Sequence, residues 1–317
     1  VLAVGTRLQD FTTGSWALFK NPARRIIGLN TQAFDAGKHQ ALPLVADALA
    51  GLRDLTRGLG DWRAPAAWRE AAATAKTNWT QTAAAYTDAA SAPLPSDAQV
   101  IGAVQRTARA SDVVVCAAGG LPGELHKLWN AGAPGGYHME YGYSCMGYEI
   151  AGGLGVKMAD PAREVIVMVG DGSYLMMNSE IATSVMLGLK LTLVILDNRG
   201  FGCINRLQMG TGGANFNNLL KDARHEVLPE VDFAAHARSL GARAVKVSDL
   251  AGLEAALKRA RRARTTQAIV IDTDPLKSTD AGGHWWDVAV PEVSARKEVT
   301  AARAGYEKAI KAQRIGD

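Results

Sequence analysis

The sequence predicts an α/β fold, a parallel sheet flanked by helices, and three observations carry that prediction. First, short apolar runs rich in β-branched residues recur along the chain: "VLAV", "RIIGLN", "DVVVCAA", "EVIVMVG", "LTLVILDN", "ARAVKV" and "QAIVIDTD". Continuous rather than alternating apolar strands mark a sheet covered on both faces. Second, the segments between these runs are Ala- and Leu-rich and of helical length, as strand-helix-strand crossovers require. Third, 317 residues with 48% hydrophobic and 21% charged content are enough to bury one large core or two ordinary ones.

The same composition narrows function. The longest apolar runs, such as Leu191 to Leu196, are strand-sized and far short of the roughly 20 residues that cross a bilayer. No membrane span or membrane partner is expected. The formal charge of +4 comes from 35 basic against 31 acidic residues. The one dense basic cluster, Leu257 to Thr265, lies on an amphipathic helix and reads as a solvated face; nucleic-acid binding would need a recognisable module as well. Cys116, Cys145 and Cys203 are odd in number, widely spaced and set in apolar or Gly-rich surroundings. That argues against a disulfide framework and for a reducing cytoplasm. The chain opens on "VLAVGTRL", so no export leader is visible.

In chain order, residues 1–58 hold strand, loop, strand and one helix (Ala41 to Arg57). That is too little sheet to fold alone, and the rest of this domain is expected upstream of Val1 or from another chain. Residues 59–96 are Ala-rich, bracketed by Pro65 and by Pro93 and Pro95, and should be mostly one helix, a linker. Pro95 and Ser96-Asp97 then reset the chain for the next helix. Residues 97–275 make one full α/β domain. Residues 276–317 carry an irregular aromatic segment, Gly282 to Asp287, and a surface helix within Pro291 to Gln313. Two adjacent Trp beside two Gly read as packing against a neighbouring surface, with a lid or substrate role as the alternative.

Ligands of a parallel sheet gather beyond the carboxyl ends of its strands. Gly170-Asp171-Gly172 and Asp197-Asn198 both fall there. A helix starting near Ser173 offers free amides and a dipole suited to phosphate, and Gly170 and Gly172 let an anion approach the backbone closely. Asp171 supplies a hard carboxylate oxygen, Asn198 an amide oxygen and Gly200 a main-chain carbonyl. With phosphate oxygens and water these make the octahedral shell that Mg²⁺ demands. Each turn alone is ordinary turn chemistry.

Together the two turns resemble the thiamin diphosphate signature, Gly-Asp-Gly followed some two dozen residues later by Asn-Asn or a variant. Here Asp197 replaces the first Asn, while Asn198 keeps the metal-binding second position. A second stretch, "GGYHMEYGYSCMGYEIAGGLGVKMA", is similar to the segment of the acetolactate synthase and pyruvate decarboxylase family that bends the cofactor. The resemblance implies that Met146 is the wedge between the cofactor rings and that the Ser144 carbonyl holds the pyrimidine amino group. An ordinary core role for Met146 is the alternative. Gly119, Gly120 and His126 occupy the place where the family contacts the diphosphate, although His126 reads equally as a helix-turn residue.

By the same resemblance, residues 1–58 correspond to the second half of a Rossmann-like middle domain and residues 97–275 to the cofactor-diphosphate domain, a thiamin diphosphate-binding fold. "DFTTGSWALF", "LPGELHKLW" and "HWWDVAV" resemble a branch of the family that hydrolyses a cyclic 1,2-diketone in inositol catabolism. His138, Glu140, Tyr141 and Tyr143 are then candidates near the reacting carbon, each with a structural alternative. The family activates its cofactor with a glutamate from a partner subunit, and no such pyrimidine-binding domain is found in these residues. The resemblance therefore implies a homo-oligomer, at least a dimer with a shared active site, of which this chain is a C-terminal portion, silent by itself. An acetolactate synthase-like carboligase and a non-catalytic α/β interface module remain the alternatives.

Overall fold

The computed structural model describes residues 1–90, 93–140, 142–280 and 285–313. They form two compact units, one of residues 1–77, 211–213 and the stretch described from Trp285 onward, the other of residues 78–210 and 214–280. The boundary between them falls within one helix, α4.

The first unit begins with β1 (Leu2–Val4), α1 (Asp10–Thr13), β2 (Ile27–Asn30), α2 (Ala33–Gly37), β3 (Leu42–Val45), α3 (Ala48–Leu59) and the start of α4 (Ala66–Tyr86). Its three strands are parallel in the order β1-β2-β3. The sequence placed Ala41 to Arg57 in one helix, and the structure corrects this. Leu42–Val45 pairs with Ile27–Asn30, and the helix starts only at Ala48. Asp47 sets that start, its Oδ1 accepting from Ala50 N at 3.0 Å and so satisfying a helix amide that has no partner within the helix.

The second unit opens with α5 (Asp97–Thr107), whose entry is fixed by a capping box between Ser96 and Gln99. There follow β4 (Val113–Cys116), α6 (Leu121–Leu128), β5 (Tyr137–Met139), α7 (Tyr148–Ala159), β6 (Val165–Gly170), α8 (Asp171–Met176) and α9 (Glu180–Met186). The unit continues through β7 (Thr192–Asp197), α10 (Gly202–Gly210), α11 (Phe233–Ser239), β8 (Arg243–Val247), α12 (Leu250–Arg261) and β9 (Gln267–Asp272).

Its six strands are all parallel, in the order β5-β4-β6-β7-β9-β8. Successive side chains of a strand point to opposite faces, and both faces are buried. Val114, Ile166, Val194 and Ile269 pack under α5, α6 and α12, while Val115, Val167, Leu193 and Val270 pack under α7, α9 and α11. From β4 the chain winds first to β5 on one side and then to β6 on the other. That reversal opens a crevice at the carboxyl ends of β4 and β6, where ligands of such sheets bind.

Two further expectations meet the structure here. A single helix was expected between the two turns; instead Met177 leaves helical geometry at φ −151°, and Asn178 Nδ2 donates to the Tyr174 carbonyl at 3.2 Å, so α8 ends and α9 starts afresh. The basic cluster lies largely on the exposed face of α12, but Arg261 pairs with buried Asp112 at 2.5 Å and fastens the turn before β4.

The first unit is completed by the C-terminal segment and α13 (Lys297–Ala312). Trp286 Nε1 donates to the Ser15 carbonyl at 3.0 Å, Trp285 Nε1 donates to Asp10, and the Phe11 ring lies 4.9 Å from that of Trp285. Gly282 to His284 lie outside the described residues. Among the described residues no helix is long and apolar enough to cross a membrane, and the three thiols are free.

Candidate cofactor and metal site

Three loops meet the requirement for close backbone approach at the crevice. After β4, Gly119 takes φ 84°, and a Cβ on Gly120 would lie 2.5 Å from Arg206 Nη2. The first is a left-handed position that favours glycine, and a side chain at the second would displace the Arg206 guanidinium. Arg206 is itself held by the Pro275 carbonyl at 2.6 Å, which sets a guanidinium beside this loop. After β6, a Cβ on Gly172 would meet Phe201 Cε1 at 2.6 Å. After β7, Gly200 takes φ 143°, and a Cβ there would stand 2.4 Å from the Asn218 carbonyl. Gly119 is favoured by conformation, Gly120 and Gly172 by space, and Gly200 by both.

The metal test turns on two oxygens. Asp171 is buried, 6% exposed. Its Oδ2 accepts from Gly200 N at 2.8 Å, while its Oδ1 is buried without a partner. Asn198 Oδ1 is buried without a partner as well. Burial, and next the charge of Asp197, push the Asp171 carboxyl up to about 7. Buried polar atoms are normally hydrogen-bonded, and two orphans at the ends of adjacent strands, one of them on a buried carboxylate, are what a hard cation relieves. The residues present therefore fit Mg²⁺. No group of three or more His, Cys, Asp or Glu suited to a metal occurs among the described residues; an Asp-Asn-carbonyl set does not need one. Asp197, at the family's first Asn position, turns inward, and its Oδ1 accepts from Arg199 N at 3.1 Å.

The loop from Glu140 to Gly147 is held by its own carboxylate. Glu140 Oε1 accepts from Tyr143 N at 2.9 Å and Oε2 from Cys145 N at 2.7 Å. These backbone bonds hold its pKa below the usual carboxylate range and keep Ser144 in the left-handed region at φ 54°. Met146 is 37% exposed and so not a core residue. Gly147, at φ 92°, abuts Met177, since a Cβ on it would lie 3.0 Å from Met177 Cβ. Tyr141 lies outside the described residues, and Tyr143 is exposed.

Other candidates stand apart. His138 Nε2 is hydrogen-bonded to Tyr148 Oη at 2.8 Å, and both line a groove of about 570 Å³ that runs toward Arg163 at the amino ends of the strands. His126 is exposed on α6, about 9 Å of helix rise beyond Gly120. Ser173 is buried, and its hydroxyl is engaged with Glu149 at 2.8 Å. Arg206 and Glu149 were missed by sequence reasoning. For Glu149 a signal existed, a lone acid opening an otherwise apolar, Gly-rich helix; for Arg206 there was none.

Residues 117–273 match the family described as thiamine pyrophosphate enzyme, C-terminal TPP binding domain. Residues 117–273 are a domain of that family. Among its relatives is 3D-(3,5/4)-trihydroxycyclohexane-1,2-dione hydrolase 2 of Bacillus cereus, 37% identical, the match covering 95% of this chain and 52% of the relative. A Bacillus anthracis (strain CDC 684 / NRRL 3495) protein of the same hydrolase name matches at 37% over the same shares. The chain thus spans about half the length of the curated relatives it matches. Among solved structures, the thiamine diphosphate-dependent 4-hydroxybenzoylformate decarboxylase of Rhodococcus jostii RHA1 superposes with a TM-score of 0.62 at 17% identity, over 80% of this chain and 44% of that one. That likeness concerns the fold. The matched residues of the thiamine pyrophosphate enzyme domain contain all three glycine loops and both orphan oxygens.

Proposed function

We propose that this chain is the diphosphate- and Mg²⁺-holding part of a thiamin diphosphate-dependent hydrolase that cleaves a carbon-carbon bond of a cyclic 1,2-diketone, taking trihydroxycyclohexane-1,2-dione to 5-deoxyglucuronate in inositol catabolism. The observation that carries the metal and cofactor part is the pair of buried, unpartnered oxygens, Asp171 Oδ1 and Asn198 Oδ1. The hydrolase name of the relatives, matched along 95% of the chain, supports the substrate.

When bound, thiamin diphosphate supplies a nucleophilic carbon and an electron sink, and the protein supplies position and electrostatics. In this reading Asp171, Asn198 and the Gly200 carbonyl hold Mg²⁺. Gly119, Gly120, Gly170, Gly172 and the amide of Ser173 bring the backbone close to the phosphates. Met146 would support the cofactor rings, and the Ser144 carbonyl would accept from the cofactor's amino group. Glu140 stays ionised and keeps that loop in shape, while His138 Nε2 is held by a hydrogen bond to Tyr148 Oη. The activating glutamate comes from a partner subunit, which makes the working form a homo-oligomer.

Calorimetric titration of the intact protein with thiamin diphosphate and Mg²⁺, followed by assay on the cyclic dione, tests the proposal. Metal-dependent binding and ring opening are expected. Condensation of 2-oxo acids without ring opening points instead to a carboligase, and no binding at all to an inert module.

A further inference from the structure

Glu149 is 1% exposed, among the most deeply buried charged side chains described. It stands one turn into the domain from the Met146 loop, yet its partners come from three separate segments. Oε1 accepts from Ala118 N, in the loop after β4, at 3.2 Å. Oε1 also accepts from Ser173 Oγ, just after the Gly-Asp-Gly turn, at 2.8 Å. Oε2 accepts from Gly147 N, directly after Met146, at 3.0 Å. Gly147 N reaches Ser173 Oγ too, at 2.9 Å, which closes the network into a ring.

Among the described residues, the groups that hydrogen-bond this carboxylate are all uncharged donors, none of them a Lys or Arg. A carboxylate is acceptor-only, and its two oxygens can take all three donors at once. A glutamine cannot, because its NH₂ half would face a backbone N–H. Buried networks of this kind hold their members rigid when fully satisfied and loosen together when one bond is lost.

We propose that Glu149 is the positioning residue of the site, a buried carboxylate that ties the diphosphate loop, the metal loop and the Met146 loop into one rigid unit before any cofactor arrives. The inference rests on reading these loops as the thiamin diphosphate site. It goes beyond that reading by naming what keeps three loops from different parts of the chain in mutual register.

The test uses the intact protein with Glu149→Gln, Glu149→Asp and Ser173→Ala. Amide exchange without cofactor is expected to speed up jointly at Ala118, Gly147 and Ser173 in Glu149→Gln, with α12 on the opposite face of the same sheet unchanged. Titration with thiamin diphosphate at saturating Mg²⁺ should show at least tenfold weaker binding. Adding Ser173→Ala to Glu149→Gln should weaken binding little further, because both remove the same ring. Should Glu149→Gln not fold, Glu149→Asp, which keeps the charge but shortens the reach, and Ser173→Ala give the same joint loosening at smaller size. Exchange unchanged in the three loops, exchange raised equally across the whole domain, or strictly additive binding losses overturn the proposal. A wild-type protein that takes up no thiamin diphosphate overturns the site reading instead, and the exchange pattern without cofactor still decides whether Glu149 ties the loops.

Discussion

The Gly170-Asp171-Gly172 turn and the Met146 loop each contain a carboxylate, and the two are in opposite states. Asp171 is buried, keeps one oxygen without a partner, and is pushed up to about 7. Glu140 lies near the surface, has both oxygens filled by its own loop's amides, and is held below the ordinary range. A satisfied carboxylate shapes its own backbone; an unsatisfied buried one marks where a ligand belongs. The sequence ranks Glu140 among candidates near the reacting carbon and Asp171 among metal ligands. The geometry separates the two by how many of their oxygens are filled.

The sharpest way to break this contrast is Asp171→Ala in the intact protein. It should weaken metal-dependent thiamin diphosphate binding by at least about a thousandfold, on the order of 4 kcal/mol, as read by calorimetry. Unchanged binding would mean that the orphan oxygens are not a metal site.

Next in size is a third carboxylate, Asp97, 6% exposed at the start of α5 and raised by burial from 3.8 to about 6, with the Arg206 charge pulling the other way. Its folded pKa is the higher one. Its stabilising contribution is therefore complete below the unfolded value and is lost as pH rises through about 6. The loss is at most about 3 kcal/mol. Asp97→Asn should flatten the change in urea midpoint between pH 4 and pH 7 relative to the wild type. An identical pH profile in both proteins would contradict the buried assignment.

Glu140→Ala should cost less, about tenfold in cofactor affinity, roughly 1.4 kcal/mol, together with faster proteolytic nicking between residues 142 and 147. A loss as large as that of Asp171→Ala would place Glu140 on the ligand instead. Smallest of all is Arg57→Ala. Its partner Asp54 is a carboxylate in open solvent, with side chains 80% and 73% exposed in the pair. Surface pairs of this kind contribute about 0.5 kcal/mol or less, and a thermal melt should scarcely move.

How much was legible follows from the range of each interaction. All seven apolar runs are strands; in β4, β6, β7 and β9 burial on both faces leaves a continuous apolar signature, while β1, β2 and β8 are less buried. β3 and β5 were not legible. "LPLV" carries Pro43 and adjoins a helix, and Tyr137–Met139 is three residues long and not β-branched; both are strands only because a neighbour pairs with them. Asp171 and Asn198 could be read because each sits in a turn whose chemistry is local. Glu149 carried a signal, a lone acid in an apolar helix, but its partners Ala118 and Ser173 reach it from distant sequence, and Arg206 carried none, since Gly120 and Pro275 meet it only in the fold. The break between α8 and α9 is intermediate, since Asn178 was visible but its bond back to Tyr174 was not.

The anchoring of Trp286 on Ser15 joins residues 271 positions apart. On a ribosome, where the chain emerges from its amino end, residues 78–280 are all available before Trp285 is made. The first unit begins synthesis earlier but lacks its closing contacts until the second unit is already outside the tunnel. Vectorial synthesis thus reverses the order of completion: the unit that starts first finishes last, and the α1 surface around Phe11 and Asp10 stays uncovered through that interval.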